Sequence, residues 1–237
     1  MAIGKKQSGS ALVYILIAIA LLAALTVSFM EPSGQQAQSQ SSTRVVSELY
    51  NQVSTIQSAI QECVLIYPAE DSGLTTIEQK NSPYPINPLD EYFDNNAAVP
   101  ASAADNAVSG IRCSGNPGGA NPSHATIFSG ASGKFMPPPP SLFGAWEYYN
   151  GADGVFFFIA TDKTDPYLAT ALDKLDNKFA ECEADVIDAT AGVINLSSDS
   201  MPSVPPGVRT CPDGNRCFRV WMILKTGTGH GDAGSGC

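Results

Sequence analysis

The sequence predicts an α+β fold in which a long N-terminal helix packs on a small antiparallel β-sheet. Three observations indicate this fold: an uncharged apolar run near the N-terminus, a stripe of apolar residues at helical spacing directly after it, and short β-rich runs between turn residues in the last third of the chain. A helix laid on a sheet is the simplest arrangement in which both elements bury their apolar faces.

The composition indicates a globular protein and excludes two other classes. The chain has 237 residues and a formal net charge of −10, and only 15% of its residues are charged against 43% hydrophobic. Disordered chains are less apolar and more charged. Proteins that bind nucleic acids normally carry a basic surface, so no nucleic-acid partner is expected.

The first element is an apolar run without a single charge from Ser10 to Met30, 21 residues long. A helix needs about 20 such residues to cross a bilayer, so we predict a transmembrane helix over 10–30. Lys5 and Lys6 precede the run and Glu31 follows it, which places the N-terminus in the cytoplasm. The competing interpretation is a cleaved secretory signal, whose apolar region is normally about 7–15 residues.

The second element is an amphipathic continuation of this helix over 31–67. Pro32 should kink the helix or begin a new segment, and Pro68 should end it. Polar residues, Gln52 among them, are expected on the face away from the core. The predicted core-facing stripe is Val45, Val46, Leu49, Val53, Ile56, Ile60, Val64 and Tyr67.

The middle of the chain, residues 68–140, is rich in Pro, Gly, Asn, Ala and Ser and is predicted to be mostly loop. It ends on four consecutive prolines, 137–140, which predict a short polyproline II spacer.

Residues 141–237 are predicted to form the globular α+β domain. Runs at 143–149 and 155–161 predict a hairpin around a five-residue loop, 150–154. Trp146, Tyr148 and Tyr149 in the first run fit either a half-buried strand or an adhesive surface.

A helix should follow this hairpin. Thr164 or Asp165 is placed to cap it, Pro166 fits its first turn, and its apolar stripe runs to about Cys182. Short strands are expected within 186–196.

A second hairpin is predicted between 208–211 and 217–225. Its second strand contains 218–224, the most hydrophobic run of the domain, which predicts a central strand.

The cysteines predict disulfides on the exported side of the membrane. Geometry favours a Cys211–Cys217 bridge across the second hairpin, and Cys63 on the helix is placed to join the loop at Cys113, but sequence alone does not choose among the pairings. Zinc is the competing interpretation; without C-x-x-C or clustered histidines, we predict no metal site. The candidates are Cys63, Cys113, Cys182, Cys211, Cys217 and Cys237.

No catalytic motif is present. The sequence lacks a nucleophile elbow, a phosphate-binding loop, H-E-x-x-H and a dinucleotide fingerprint, so we expect no enzyme and no cofactor. Calcium is the alternative. Asp173 and Asp176 share a helix face, and Asp213, Asn215 and Asp232 form a second oxygen cluster, but neither has EF-hand spacing and a solvated surface is the simpler interpretation.

The order of these features resembles the type IV pilins and type II secretion pseudopilins over about the first 67 residues. The segment Lys5-Lys6-Gln7-Ser8-Gly9 is similar to the basic, Gly-terminated leader of that family. The resemblance implies a leader over 1–9, cleavage after Gly9 by a prepilin peptidase, and a methylated new N-terminus at Ser10. It implies a bacterial inner-membrane precursor with a pilin-like fold, which later joins other pilin or pseudopilin subunits in a periplasmic or cell-surface filament through its N-terminal helix, with Pro32 near the family's usual proline.

One position departs from the family pattern. Most members carry Glu at the fifth mature position, where it is thought to neutralise the N-terminal amine of a neighbouring subunit; here the position is Tyr14. The resemblance therefore implies a minor, low-copy subunit at or near the filament tip. The alternative is a single-pass, signal-anchored extracytoplasmic binding or adhesion protein that never enters a filament, and an exported enzyme is the third interpretation.

Overall fold

Three α-helices, one short 3-10 helix (Val108–Gly110) and six strands account for the regular structure that the computed structural model describes. The described residues are 10–30, 33–68, 83–87, 106–114, 124, 126–128, 132–151, 154–180, 182–197 and 210–224. The helices are α1 (Ser10–Met30), α2 (Ser33–Ile66) and α3 (Pro166–Asp176). The strands are β1 (Glu147–Gly151), β2 (Gly154–Thr161), β3 (Ala184–Asp188), β4 (Ile194–Asn195), β5 (Thr210–Cys211) and β6 (Arg216–Leu224).

These elements confirm the predicted α+β class, with a long N-terminal helical region and a small antiparallel sheet. The main sheet has the order β1-β2-β6-β3, and every neighbouring pair is antiparallel. β6 lies between β2 and β3, as its hydrophobic sequence predicts.

The predicted second hairpin is wrong. β5 pairs with β4, through Ile194 opposite Cys211, and the two form a separate two-stranded sheet. β5 has no place beside β6 because β2 and β3 already occupy both edges of β6. The turn itself exists, since the Asn215 amide donates to the Pro212 carbonyl at 3.1 Å.

The first hairpin exists, but β1 begins at Glu147 rather than at residue 143 and the connection is shorter than predicted. Gly151 pairs directly with Gly154, so two residues join the strands instead of five. Gly154 has φ of 145°, and a side chain there would collide with the Ile223 carbonyl oxygen of β6. Only glycine fits both conditions, which fixes the end of the turn at this position.

α3 starts as predicted and ends early. Asp165 is the N-cap residue, without a side-chain capping bond, and Pro166 follows it in the first turn. The helix stops at Asp176 rather than near Cys182. The chain turns there because Phe179 packs against the rings of Tyr50 and Phe218, at centroid distances of 5.6 and 5.8 Å.

The sheet has a core on each face. α2 and α3 cover one face, where the apolar stripe of α2 is buried from Val45 to Ile60. The other face holds a smaller core around Phe156, Phe158 and Trp221. Gln52 is buried, which corrects its predicted place on the polar face of α2.

Two predicted disulfides are confirmed. Cys63 bonds to Cys113 with a Cα separation of 5.6 Å, and Cys211 bonds to Cys217 with a Cα separation of 5.9 Å. Cys182 is also disulfide-bonded, while Cys237 lies outside the described residues. Residues 137–140 form neither helix nor strand, and the polyproline II spacer stays a prediction.

Candidate assembly site

The surface that differs most from an ordinary globular protein is α1, which we call the assembly helix. Its 21 residues span about 31 Å and carry no charge. Every described side chain, from Leu12 to Thr26, is exposed, and Leu12 and Tyr14 are 63% and 71% exposed. Soluble monomers rarely expose a continuous apolar surface of this size, so it marks a contact surface.

The assembly helix satisfies one of its few polar side chains internally. The Thr26 hydroxyl lies 3.1 Å from the Leu22 carbonyl and 2.8 Å from the Ala23 carbonyl, to which it donates within the helix. Because the Thr26 hydroxyl proton is bonded to a backbone carbonyl of its own helix, it is not available to a partner on the surface, which stays largely apolar.

Among the residues that the structure describes, no helix combines the length and the apolar character that a membrane crossing needs. The transmembrane assignment of 10–30 stays a prediction.

The N-terminal end of the assembly helix has no acidic residue in its first turn. A helix begins with free amide groups and the positive end of its dipole, which a carboxylate normally stabilises. Tyr14 lies one turn after Ser10 and offers a neutral hydroxyl instead. Lys5, Lys6 and Gly9, the predicted processing residues, and Pro32, the predicted kink, lie outside the described residues.

The globular domain holds α2 from Ser42 onward. Ser42 is buried, whereas the described residues just before it, 38–41, are exposed. The Lys174 ammonium of α3 donates to the Ser42 hydroxyl at 3.2 Å. The Cys63–Cys113 disulfide joins the last turn of the same helix to the domain. The domain therefore grips α2 at two places more than five turns apart.

Gln52 is the central polar contact between α2 and the domain. Its side-chain nitrogen donates to the Pro138 carbonyl at 2.8 Å, and its side-chain oxygen accepts the Trp146 indole N–H at 2.6 Å. One buried amide thereby joins the proline segment, the helix and the chain before β1. The sequence carried a weak signal for this role, because Gln52 flanks the apolar stripe.

Tyr148 and Tyr149 lie in β1 and Trp146 lies directly before it, which agrees with the strand interpretation of this run. Trp146 and Tyr148 are 2% and 0% exposed, which corrects the adhesive alternative at these positions. Burial raises the pKa of Tyr148 well above its ordinary value, so its hydroxyl stays protonated and donates to the Pro85 carbonyl at 3.0 Å. Tyr148 thereby anchors the loop at residues 83–87 to β1.

The described residues contain no group of three or more His, Cys, Asp or Glu side chains arranged to hold a metal ion. Asp173 and Asp176 both line a cleft beside β3, while Asp213 is exposed in the turn before β6. Asp232 lies outside the described residues.

Sequence reasoning missed one buried ion pair. Arg219 of β6 is fully buried and its guanidinium binds both carboxylate oxygens of Asp185 on β3 and the Leu196 carbonyl. The guanidinium carbon lies 4.6 Å from the Trp221 ring centroid. The order of polar and apolar residues along β6 gives no sign that Arg219 is buried. The fold buries it, because both faces of the sheet are covered and β6 has a neighbouring strand on each side.

Comparisons with known proteins give no relative: no family model, no curated protein and no solved structure matches this chain.

Proposed function

We propose that this protein is a minor pilin or pseudopilin, a structural and non-enzymatic subunit that is inserted in the bacterial inner membrane and then assembled into, or placed at the tip of, a type IV pilus-like filament. The observation that carries the proposal is the assembly helix, uncharged over 21 residues and exposed at every described side chain. The basic, Gly-terminated segment before it supplies a processing site next to that surface.

The contacts that hold α2 on the globular domain support a role in assembly. A subunit joined to its neighbours through one helix transmits any load on the filament to its globular domain through that helix. The buried stripe of α2, the Gln52 contacts and the Cys63–Cys113 disulfide fix the helix on the domain from Ser42 onward. The exposed residues just before Ser42, 38–41, and the assembly helix remain available to other subunits.

Processing is the direct test. We expect the protein purified from the membrane and filament fractions of its native host to begin at Ser10, with one added methyl group, by intact-mass spectrometry. Gly9→Val should abolish cleavage, because a prepilin peptidase cuts after this residue. Gly4→Val makes the same chemical change within the leader and should leave cleavage unaltered.

A full-length, unmethylated chain in a host with an active prepilin peptidase contradicts the pilin proposal. The protein would then be a signal-anchored binding protein. Cleavage that proceeds equally in both glycine variants would argue for an unrelated protease.

Tyr14 tests the proposed place in the filament. Tyr14→Glu supplies the carboxylate that a repeating subunit uses to neutralise a neighbour's buried amine, so we expect several-fold more copies per filament. Tyr14→Gln is a control of similar polarity without the charge and should leave the copy number low. Quantitative mass spectrometry of sheared filaments, referred to the major subunit, measures the ratio. Equal incorporation of both variants would contradict the tip assignment.

A further inference from the structure

Trp146, directly before β1, connects α2 to the sheet. Its indole N–H donates to the Gln52 side-chain oxygen at 2.6 Å, which joins it to the middle of α2. Its backbone carbonyl accepts the Val108 amide at 2.8 Å. Its ring packs edge-on against the ring of Phe157 in β2, at a centroid distance of 5.5 Å. One buried residue therefore contacts α2, the segment at 106–114 and the second strand of the sheet.

The Cys63–Cys113 disulfide leads to the same residue from the far end of α2. Cys113 belongs to the segment that bonds to Trp146 through Val108, so a disulfide and a hydrogen bond join the last turn of α2 to the chain before β1. The two cysteines are 50 positions apart in the sequence. A pull on α2 therefore passes from Cys63 to Cys113 without stretching residues 64–112.

The other described contacts of α2 offer less resistance to a pull along the helix axis. Burial of the apolar stripe, 45–60, depends on the area removed from water and has no direction, so a short slide of the helix costs less than its full removal. The bond from Lys174 to Ser42 is partly exposed, 3.2 Å long and made by a long, flexible side chain.

Gln52 resists such a slide more strongly because its bonds are directional. A hydrogen bond weakens steeply when its length or angle changes. The Gln52 amide makes two of them, since its nitrogen also donates to the Pro138 carbonyl at 2.8 Å. Gln52 precedes Cys63 along α2, so a pull from the side of the assembly helix reaches the Gln52 contact before it reaches the disulfide.

We propose that Trp146 is the mechanical junction through which tension on α2 enters the sheet, first by way of Gln52 and then by way of the Cys63–Cys113 disulfide. The inference deepens the proposed function and rests on it, because a filament is the source of the tension. The junction directs the load to β1 and β2 and leaves residues 64–105 outside its course.

Constant-force unfolding of the purified full chain tests the proposal. The chain is held by tags at its two termini, in a non-ionic detergent and without reductant, so that the disulfides stay intact. Gln52→Met keeps the approximate size of the side chain and removes the amide. We expect the rate of unfolding under load to rise by roughly tenfold or more, because two buried hydrogen bonds that oppose the pull are lost.

Asn87→Leu is the matched control. Asn87 is 8% exposed against 7% for Gln52, and its side-chain amide also makes two hydrogen bonds, to the carbonyl and from the amide of Asn150. Asn87 lies within 64–105, so its bonds should be intact when the domain gives way under load. A contact that persists in the transition state hardly alters the unfolding rate, so we expect a change within about twofold.

A second pair of variants keeps the test independent of whether Gln52→Met folds. Trp146→Phe and Tyr148→Phe each remove one buried hydrogen-bond donor from an aromatic side chain, toward Gln52 in the first case and toward Pro85 in the second. Only Trp146→Phe should accelerate unfolding under load. Each change in rate is compared with the stability that the same variant loses in urea, because Trp146→Phe also reduces the ring volume and urea exerts no directed pull.

Faster unfolding under load for Gln52→Met and Trp146→Phe, beyond what their losses in urea explain, supports the proposal. Equal acceleration by the two members of either pair, or no acceleration by Trp146→Phe, overturns it. The measurement needs no filament, so its result is separate from the cleavage test at Gly9. An uncleaved leader would remove the proposed source of tension, whereas failure of the force test would remove the junction.

Discussion

Arg219→Met is expected to lower the free energy of unfolding by about 3–5 kcal/mol, because it leaves the Asp185 carboxylate buried among apolar side chains without its cation. Asp185 is 3% exposed, and its neighbours on this face include Phe156, Ile187 and Trp221. Urea unfolding followed by far-UV circular dichroism measures the loss with the disulfides intact. Tryptophan fluorescence serves as a second probe, since Trp146 and Trp221 lie in the two separate cores.

The same pair of strands offers a control for this prediction. Arg216 and Asp188 also face each other across β6 and β3, but their side chains are 35% and 45% exposed. Exposed pairs contribute at most about 1 kcal/mol, so Arg216→Met should have a small effect. Adding Asp185→Leu to Arg219→Met should recover much of the lost stability, because no unpaired charge is then buried at this site. If Arg216→Met and Arg219→Met lower the free energy of unfolding equally, then burial of the Arg219–Asp185 pair does not explain its contribution to stability.

Local patterns predicted those features of an element that its own residues determine. The three- and four-residue spacing from Val45 to Ile60 predicted the buried face of α2, and Pro166 predicted the start of α3. The central place of β6 followed from its hydrophobic run. In each case the pattern lies in the residues of the element itself, so the local sequence is sufficient to predict the feature.

Non-local pairing was not predictable from local sequence. The turn at Pro212 is real, yet β5 pairs with β4 because the edges of β6 are taken by strands from elsewhere in the chain. Gln52 and Arg219 are buried by partners distant in sequence, 94 residues away for Trp146 and 34 for Asp185. From a single sequence, a polar side chain is expected to lie on the surface. Only the folded structure shows which distant residues satisfy its hydrogen bonds when it is buried.

The proposed leader, 1–9, and Tyr14 at the proposed fifth mature position cannot be judged from the packing of this chain. Lys5, Lys6 and Gly9 act, in our proposal, on a peptidase and on other subunits, so their roles do not depend on the packing of this chain. These residues are therefore tested by measuring cleavage, methylation and incorporation into filaments, and not by measuring the stability of the fold.

Removal of the Cys63–Cys113 disulfide should have an effect close in size to that of the buried ion pair. The bridge closes a loop with a sequence separation of 50 residues, for which the chain-entropy relation gives about 4 kcal/mol. It also joins the end of α2 to the segment at 106–114, where the Val108 amide bonds to the Trp146 carbonyl at 2.8 Å. The variant Cys63→Ala/Cys113→Ala avoids burying unpaired hydroxyl groups.

The second bridge supplies the comparison for that prediction. Cys211–Cys217 spans a separation of only 6 residues, so Cys211→Ala/Cys217→Ala should lose about 2 kcal/mol by the same relation. The order of the two losses, measured by urea unfolding, is the discriminating result. A larger loss for the short loop would contradict the entropic account, and would indicate that the Cys211–Cys217 bridge acts mainly through its packing in the core around Phe158 and Leu196. The expected order would mean that the Cys63–Cys113 disulfide contributes more than the Cys211–Cys217 disulfide to stability. The Cys63–Cys113 disulfide would then be the main covalent link that holds α2 on the domain, and α2 is the helix that joins the assembly helix to the domain.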